Sequence, residues 1–353
     1  EARQHFERHL EIAKEIGDRR GEMMASGAIG NVLAVTGNRE EGGNWSRRYY
    51  EIARELGDER AQAIAAGNIG VDALHLGRFD EARTSLERSR TLSRQLGYRM
   101  GEARAHCNLA VSYESDGRLG AALEHAETFL ELSQELGYAR GEVLARNHLT
   151  ELYLACGDAA KAGKHAGLSL ETAQASKLHN LSGAAWAAAG RVAEAAVDLD
   201  RPERCYAAAV RLGRETEHVE ALLPSLLKQA TFLVRRDRPD AAREILENAI
   251  AKARDARLPG PLALATALRA TLPGGDPARA LEVLEASAER LPAAAKMAAR
   301  FHLWEATGDR AQLEAAHRLL LAARDHAPEP YRTPMLADVP LHRAIVDAWE
   351  RLQ

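Results

Sequence analysis

The sequence predicts an all-α fold built as a stack of helical hairpins, on three observations. One pattern recurs at a spacing of 40 residues: "AAGNIGVDALHLGRFDEA" (Ala65–Ala82), "AHCNLAVSYESDGRLGAA" (Ala105–Ala122) and "ARNHLTELYLACGDAAKA" (Ala145–Ala162) align without gaps. Turn glycines punctuate the copies at Gly77, Gly117 and Gly157, with Gly37 one period earlier. The composition is 46% apolar yet only 5% aromatic, and it is weighted towards Ala, Leu, Glu and Arg, which are strong helix formers. A fixed period of this length with a turn inside each copy marks an array whose units pack on their neighbours.

The first element is an amphipathic helix over residues 2–16, closed by Ile16-Gly17-Asp18. Leu56-Gly57-Asp58 repeats that closure, and Leu96-Gly97 and Leu136-Gly137 repeat its first two residues. Glycine ends a helix there because it enters the left-handed conformation without a Cβ clash. Each unit then reads as helix A (Arg60–Leu76), a turn at Gly77-Arg78-Phe79-Asp80 and helix B (Glu81–Leu96), with Asp80 placed as N-cap. Helices of this length joined by such short turns fold back antiparallel. Small residues at Gly70 and Ala82 fall where helix A crosses helix B, so the backbones approach closely. Ile29, Ile69, Leu109 and Leu149 are expected to fill the space left over.

After Ala175 the pattern loosens. Leu181–Asp200 keeps the register with Gly190 at the small position, and Leu223–Arg254, Leu258–Leu291 and Ala293–Ala327 read as further pairs. The expected organisation is therefore one continuous solenoid over 1–327, clear to residue 175 and degenerate from 176, with about eight pairs. A proline-rich linker over 328–340 and a capping helix over 341–353 follow. The opening "EARQHFER" matches "EARTSLER" (Glu81–Arg88), so the chain starts on a helix B and reads as a piece of a longer protein.

The run Gly70, Gly77, Phe79, Ala82 and Leu86 resembles the tetratricopeptide repeat, whose signature residues share those spacings. The longer unit resembles the 40-residue variety found in G-protein-regulator scaffolds and in the C-terminal arms of bacterial regulatory ATPases, kinases and cyclases. That resemblance implies a right-handed α–α superhelix with a concave groove lined by the A helices, which holds a partner peptide.

The remaining composition excludes several classes of function. A formal charge of -4 gives no global attraction to nucleic acid or anionic lipid. No apolar run is long enough for a membrane-spanning helix. Cys107, Cys156 and Cys205 form no CxxC, which fits a reducing, cytoplasmic setting. There is no P-loop, HExxH or GxSxG, so no cofactor, metal or enzymatic activity is expected. His5, His125 and His165 share one repeat position, but adjacent B helices stand too far apart to share a zinc. Asp198 and Asp200, like Asp237 and Asp240, read as turn caps.

The resemblance places groove contacts at Gly67 and Asn68, Cys107 and Asn108, and Asn147 and His148, with Arg104 one turn earlier. Asn31, His75, Glu114 and Glu151 lie one or two turns later on the same face. Asparagine offers both a donor and an acceptor to a peptide backbone; the competing role for Asn68 and Asn108 is to tie neighbouring helices together. The function expected is a non-catalytic interaction module for a peptide or a domain, including other domains of the same protein, within a larger bacterial signalling protein. Two alternatives stand beside it. One is a small-ligand sensor using the surroundings of Trp186 and Trp304; the other is a scaffold self-associating through Phe6 and Leu10.

Overall fold

The computed structural model describes residues 1–195, 200–215 and 219–353; Asp198 lies outside them. Every regular element among the described residues is helical. Contacts divide the chain into two compact units, Glu1–Ser112 and Tyr113–Gln353.

The first unit holds α1 (Ala2–Glu15), α2 (Arg19–Val35), α3 (Arg39–Glu55), α4 (Glu59–His75), α5 (Phe79–Gln95) and most of α6 (Arg99–Ser115). Helix A of each pair is α2, α4 or α6, and helix B of the first two pairs is α3 or α5. Gly17, Gly37, Gly57 and Gly77 all take positive φ between consecutive helices, so each reversal sits on the residue type that adopts it without strain. Asp18 and Asp58 accept from the backbone N–H of Gly21 and Ala61 and so cap α2 and α4. Asp80 is not a cap: α5 starts at Phe79 behind Arg78, which puts Asp80 in its first turn.

The crossing of α4 and α5 is as tight as the small residues imply. A Cβ on Gly70 would stand 2.6 Å from Leu86 Cγ and 3.2 Å from the Ala82 carbonyl oxygen. The filler above Gly70 is thus Leu86 from α5, fully buried, whereas Ile69 remains half-buried. Ile29 packs with Leu10, Ala25 and Leu33, while Phe6 is half-buried against them.

The second unit continues with α7 (Leu119–Glu135), α8 (Ala139–Ala155), α9 (Ala159–Ala175), α10 (His179–Ala195), α11 (Arg201–Glu215), α12 (Val219–Arg235) and α13 (Pro239–Asp255). Then follow α14 (Pro259–Ala270), α15 (Pro277–Glu285), α16 (Ala293–Thr307), α17 (Arg310–Asp325), α18 (Arg332–Ala337) and α19 (Pro340–Glu350). Leu149 is fully buried, as the repeat spacing predicts. The two repeat-position histidines stack on tyrosines of the preceding A helices, His125 on Tyr113 at 5.3 Å and His165 on Tyr153 at 5.5 Å. Trp186 is 36% exposed. Asp240 lies inside α13 and pairs with Arg243, so it does not cap that helix.

Residues 328–340 are not an extended linker. Glu329–Tyr331 form a 3-10 turn that runs into α18, whose Met335 is buried, and Pro340 opens α19. Prolines here occupy first-turn positions, where the missing N–H has no helical partner to lose. α19 packs on α17, with Trp349 stacked on His317 at 4.7 Å.

Candidate functional site

In the first unit the A helices carry one face at positions four, three and four residues apart, the spacing that keeps side chains on one side of a helix. On α2 these are Met24, Ala28, Asn31 and Val35; on α4, Ile64, Asn68, Val71 and His75; on α6, Arg104, Asn108 and Val111. None is acidic, and the buried carboxylate of α4, Asp72, turns towards Ser46 on α3 instead. Burial is the main reason the Asp72 carboxyl rises to about 6, against the charges of Arg39 and Arg47 and the Ser46 hydrogen bond. Met24 is 58% and Val35 86% exposed on this face, although both are large and apolar.

Asn68 donates to Asn31 across the two helices at 3.2 Å. Between α4 and α6 a pocket is lined by Ile64, Gly67, Asn68, Val71, Arg104 and Asn108, with Ser89 and Ser93 behind. Predicted residues Asn31, Asn68, Arg104, Asn108 and His75 are therefore brought onto one face. Both roles of asparagine appear: Asn68 ties α2 to α4 and lines the pocket.

In the second unit the corresponding faces are occupied by their own charges. His148 Nε2 lies 2.5 Å from Glu114 Oε2. Glu151 accepts from Lys228 Nζ at 2.5 Å and also from Arg191, so one carboxylate links α8, α10 and α12. Glu194 accepts from the hydroxyl of buried Tyr206 and from Arg235 at 3.0 Å. Burial opposes the charge on Glu151, but Lys228 and Arg191 outweigh it and hold the carboxyl at about 2.

Arg191, Lys228, Glu194 and Arg235 are the members that sequence reading missed. Arg191 stands one 40-residue period after Glu151, and that spacing was the available signal. Asn147 lies one residue off the face. Its Oδ1 accepts from Ser169 on α9 at 2.6 Å, so the side chain belongs to the A–B crossing. A single-residue step turns a side chain about 100° around the helix, and that step separates Asn147 from His148.

Burial alone would lower the His148 pKa, but the charge and hydrogen bond of Glu114, with Glu151 behind, raise it above the ordinary value. A folded value above the unfolded one means the pair stabilises fully below about 6.5 and is lost as pH rises through the folded value. NMR titration of the His148 ring is expected to show an elevated midpoint that falls in Glu114→Gln; an unchanged midpoint would remove this assignment.

Two further features bear on a small ligand or a metal. Phe301, Trp304, Glu305, Gly308, Ala344 and Arg351 line a shallow cleft in the second unit, which does not include Trp186. Among the described residues no group of three or more His, Cys, Asp or Glu side chains could hold a metal ion. Among the described residues no helix is long and apolar enough to cross a membrane.

Antiparallel helix pairs, crossing at small residues and presenting polar A-helix faces, define a helical-repeat fold. The tetratricopeptide repeat family model matches residues 21–95 and 61–135, and the chain carries tetratricopeptide repeats there. The fold is similar to that of NprR in complex with its cognate peptide NprX, with TM-score 0.60 and 14% identity over 92% of this chain and 98% of that one. It is also similar to a Rap protein complexed with competence and sporulation factor, with TM-score 0.59 and 12% identity over 94% and 99%. Aspartyl phosphate phosphatase F from Bacillus subtilis gives TM-score 0.56 and 14% identity over 80% and 75%. At such identities the likeness is one of fold. No curated protein matches the chain.

Proposed function

We propose that the chain is a non-catalytic recognition module that holds a peptide segment against the A-helix face of the first unit. The observation that carries this reading is the mixture on that face. Exposed Met24 and Val35 stand among Asn31, Asn68 and Asn108, beside a pocket between α4 and α6. Aliphatic groups take a partner's apolar side chains, and the amides bond its backbone without selecting sequence. The contrast with the second unit supports the location. There the equivalent charges are already paired, and a ligand would have to break those pairs to bind.

The complex of NprR with its cognate peptide supports a peptide as partner. In this reading the module is the sensor arm of a larger cytoplasmic signalling protein, and any chemistry resides in another domain.

The test is selection of linear peptides from a displayed random library against the chain, followed by calorimetry on the enriched sequences. Asn68→Ala with Asn108→Ala is expected to weaken binding by about fivefold to a hundredfold, since each lost amide bond contributes about 0.5–1.5 kcal/mol. Enriched peptides that bind the double variant as tightly as the parent would place the site elsewhere. A library that yields no binder would remove the recognition reading itself.

A further inference from the structure

The end of the second unit returns to its beginning. The Gly120 N–H, in the first turn of α7, donates to the His326 carbonyl at 3.0 Å. First-turn amides have no acceptor within their own helix, so this bond supplies one from 206 residues along the chain. Lys161 Nζ, in the first turn of α9, donates to the Tyr331 hydroxyl at 2.6 Å. The same ammonium sits over the rings of Tyr153 and Tyr331 at 5.1 and 5.3 Å, and those two rings meet edge to face.

The seat is made of glycine. A Cβ on Gly120 would stand 3.1 Å from the His326 carbonyl oxygen, and one on Gly157 would stand 2.6 Å from the Pro334 carbonyl oxygen. The equivalents of Gly120 in the earlier repeats are Glu40 and Asp80, neither of which would fit beneath this segment.

We propose that residues 326–337 are a detachable latch, which seats the C-terminal helices of the second unit on the turns of α7–α9 and gives that unit a latched and an unlatched state. The character of the contact supports detachment. The seat consists of one backbone hydrogen bond, two close approaches to glycine, a single tyrosine held by a lysine, and only two buried apolar side chains from the segment, Ala327 and Met335. The helices behind it bury their own apolar groups: Phe301 and Leu303 on α16, Leu313, Ala316 and Leu320 on α17, and Ile345 on α19. Elements with few buried apolar contacts open at lower free energy than the core they rest on. Unlatching bares the Gly120 amide, Lys161 and the edge of Tyr153 while both sides keep their folds. It leaves the face proposed for peptide recognition untouched, because that face lies in the first unit.

Residue-resolved amide exchange on the full chain tests this. In the parent, Gly120 is expected to exchange at least tenfold faster than Leu152 in the core of α8. Tyr331→Ala and, separately, Lys161→Met are expected to speed Gly120 by a further tenfold or more and leave Leu152 unchanged. The latch is refuted if Gly120 and Leu152 exchange at one common rate in the parent, which would make the segment part of a single cooperative core. It is equally refuted if the variants accelerate both amides together, or accelerate neither.

Discussion

Leu86→Ala is expected to cost the first unit about 2–5 kcal/mol, the usual range for a fully buried leucine whose neighbours cannot collapse into the space. Collapse is hindered here because the facing surface is Gly70, a residue with no side chain to move. The reciprocal change is the sharper test. Alanine at Gly70 would set its Cβ 2.6 Å from Leu86 Cγ, so Leu86 must leave its place, and overpacking of this kind costs about 1–3 kcal/mol. Yet glycine inside a helix is itself less favourable than alanine by roughly 1 kcal/mol. Once Leu86 is truncated the clash is gone, leaving only the 3.2 Å approach to the Ala82 carbonyl oxygen. Gly70→Ala should therefore destabilise the parent and turn neutral or stabilising in the Leu86→Ala background. Denaturant titration of the four proteins in this cycle reads the coupling directly. Additive effects would show that Gly70 and Leu86 do not share the crossing.

The crossing was legible in the sequence because the constraint is local and repeats: a small residue, a turn glycine and another small residue at fixed offsets. The period alone could not say which large residue fills the gap. Leu86 comes from the other helix of the pair, and Ile69, one residue from the small position, is rotated partly to solvent. The placement of the last segment was not legible for a related reason: Pro328, Pro334 and Pro340 stand at or near helix starts, and the docking partners lie far upstream. A contact between His326 and Gly120 leaves no periodic trace in the chain.

The face residues were legible as a pattern, and their state of pairing was not. Asn68 and Glu151 lie three residues apart in the repeat frame and look alike in sequence as polar groups on helix A. The structure leaves the first on an open face and places the second between two cations.

Glu151→Gln is expected to flatten the acid limb of the second unit's stability profile. Glu151 is held at about 2 against an ordinary 4.5. A depressed folded value contributes stability that is present above the unfolded value and disappears as pH falls from about 4.5 towards 2. The full shift would correspond to something on the order of 3 kcal/mol. The Glu151 side chain is 24% exposed, so solvent screening reduces that to about 1–3 kcal/mol. Glutamine keeps the shape and cannot carry the charge, leaving Arg191 and Lys228 close together without their common partner. The variant should be weaker than the parent at pH 7 by that amount and nearly equal to it at pH 2. Other carboxylates titrate alike in both proteins, so the difference between the two curves isolates this site. Lys228→Met is expected to cost less, because Arg191 still holds the carboxylate. Parallel denaturation curves for the parent and Glu151→Gln between pH 7 and 2 would mean that this three-helix link contributes no stability. The self-pairing used to set the second unit apart from the first would then lose its energetic basis.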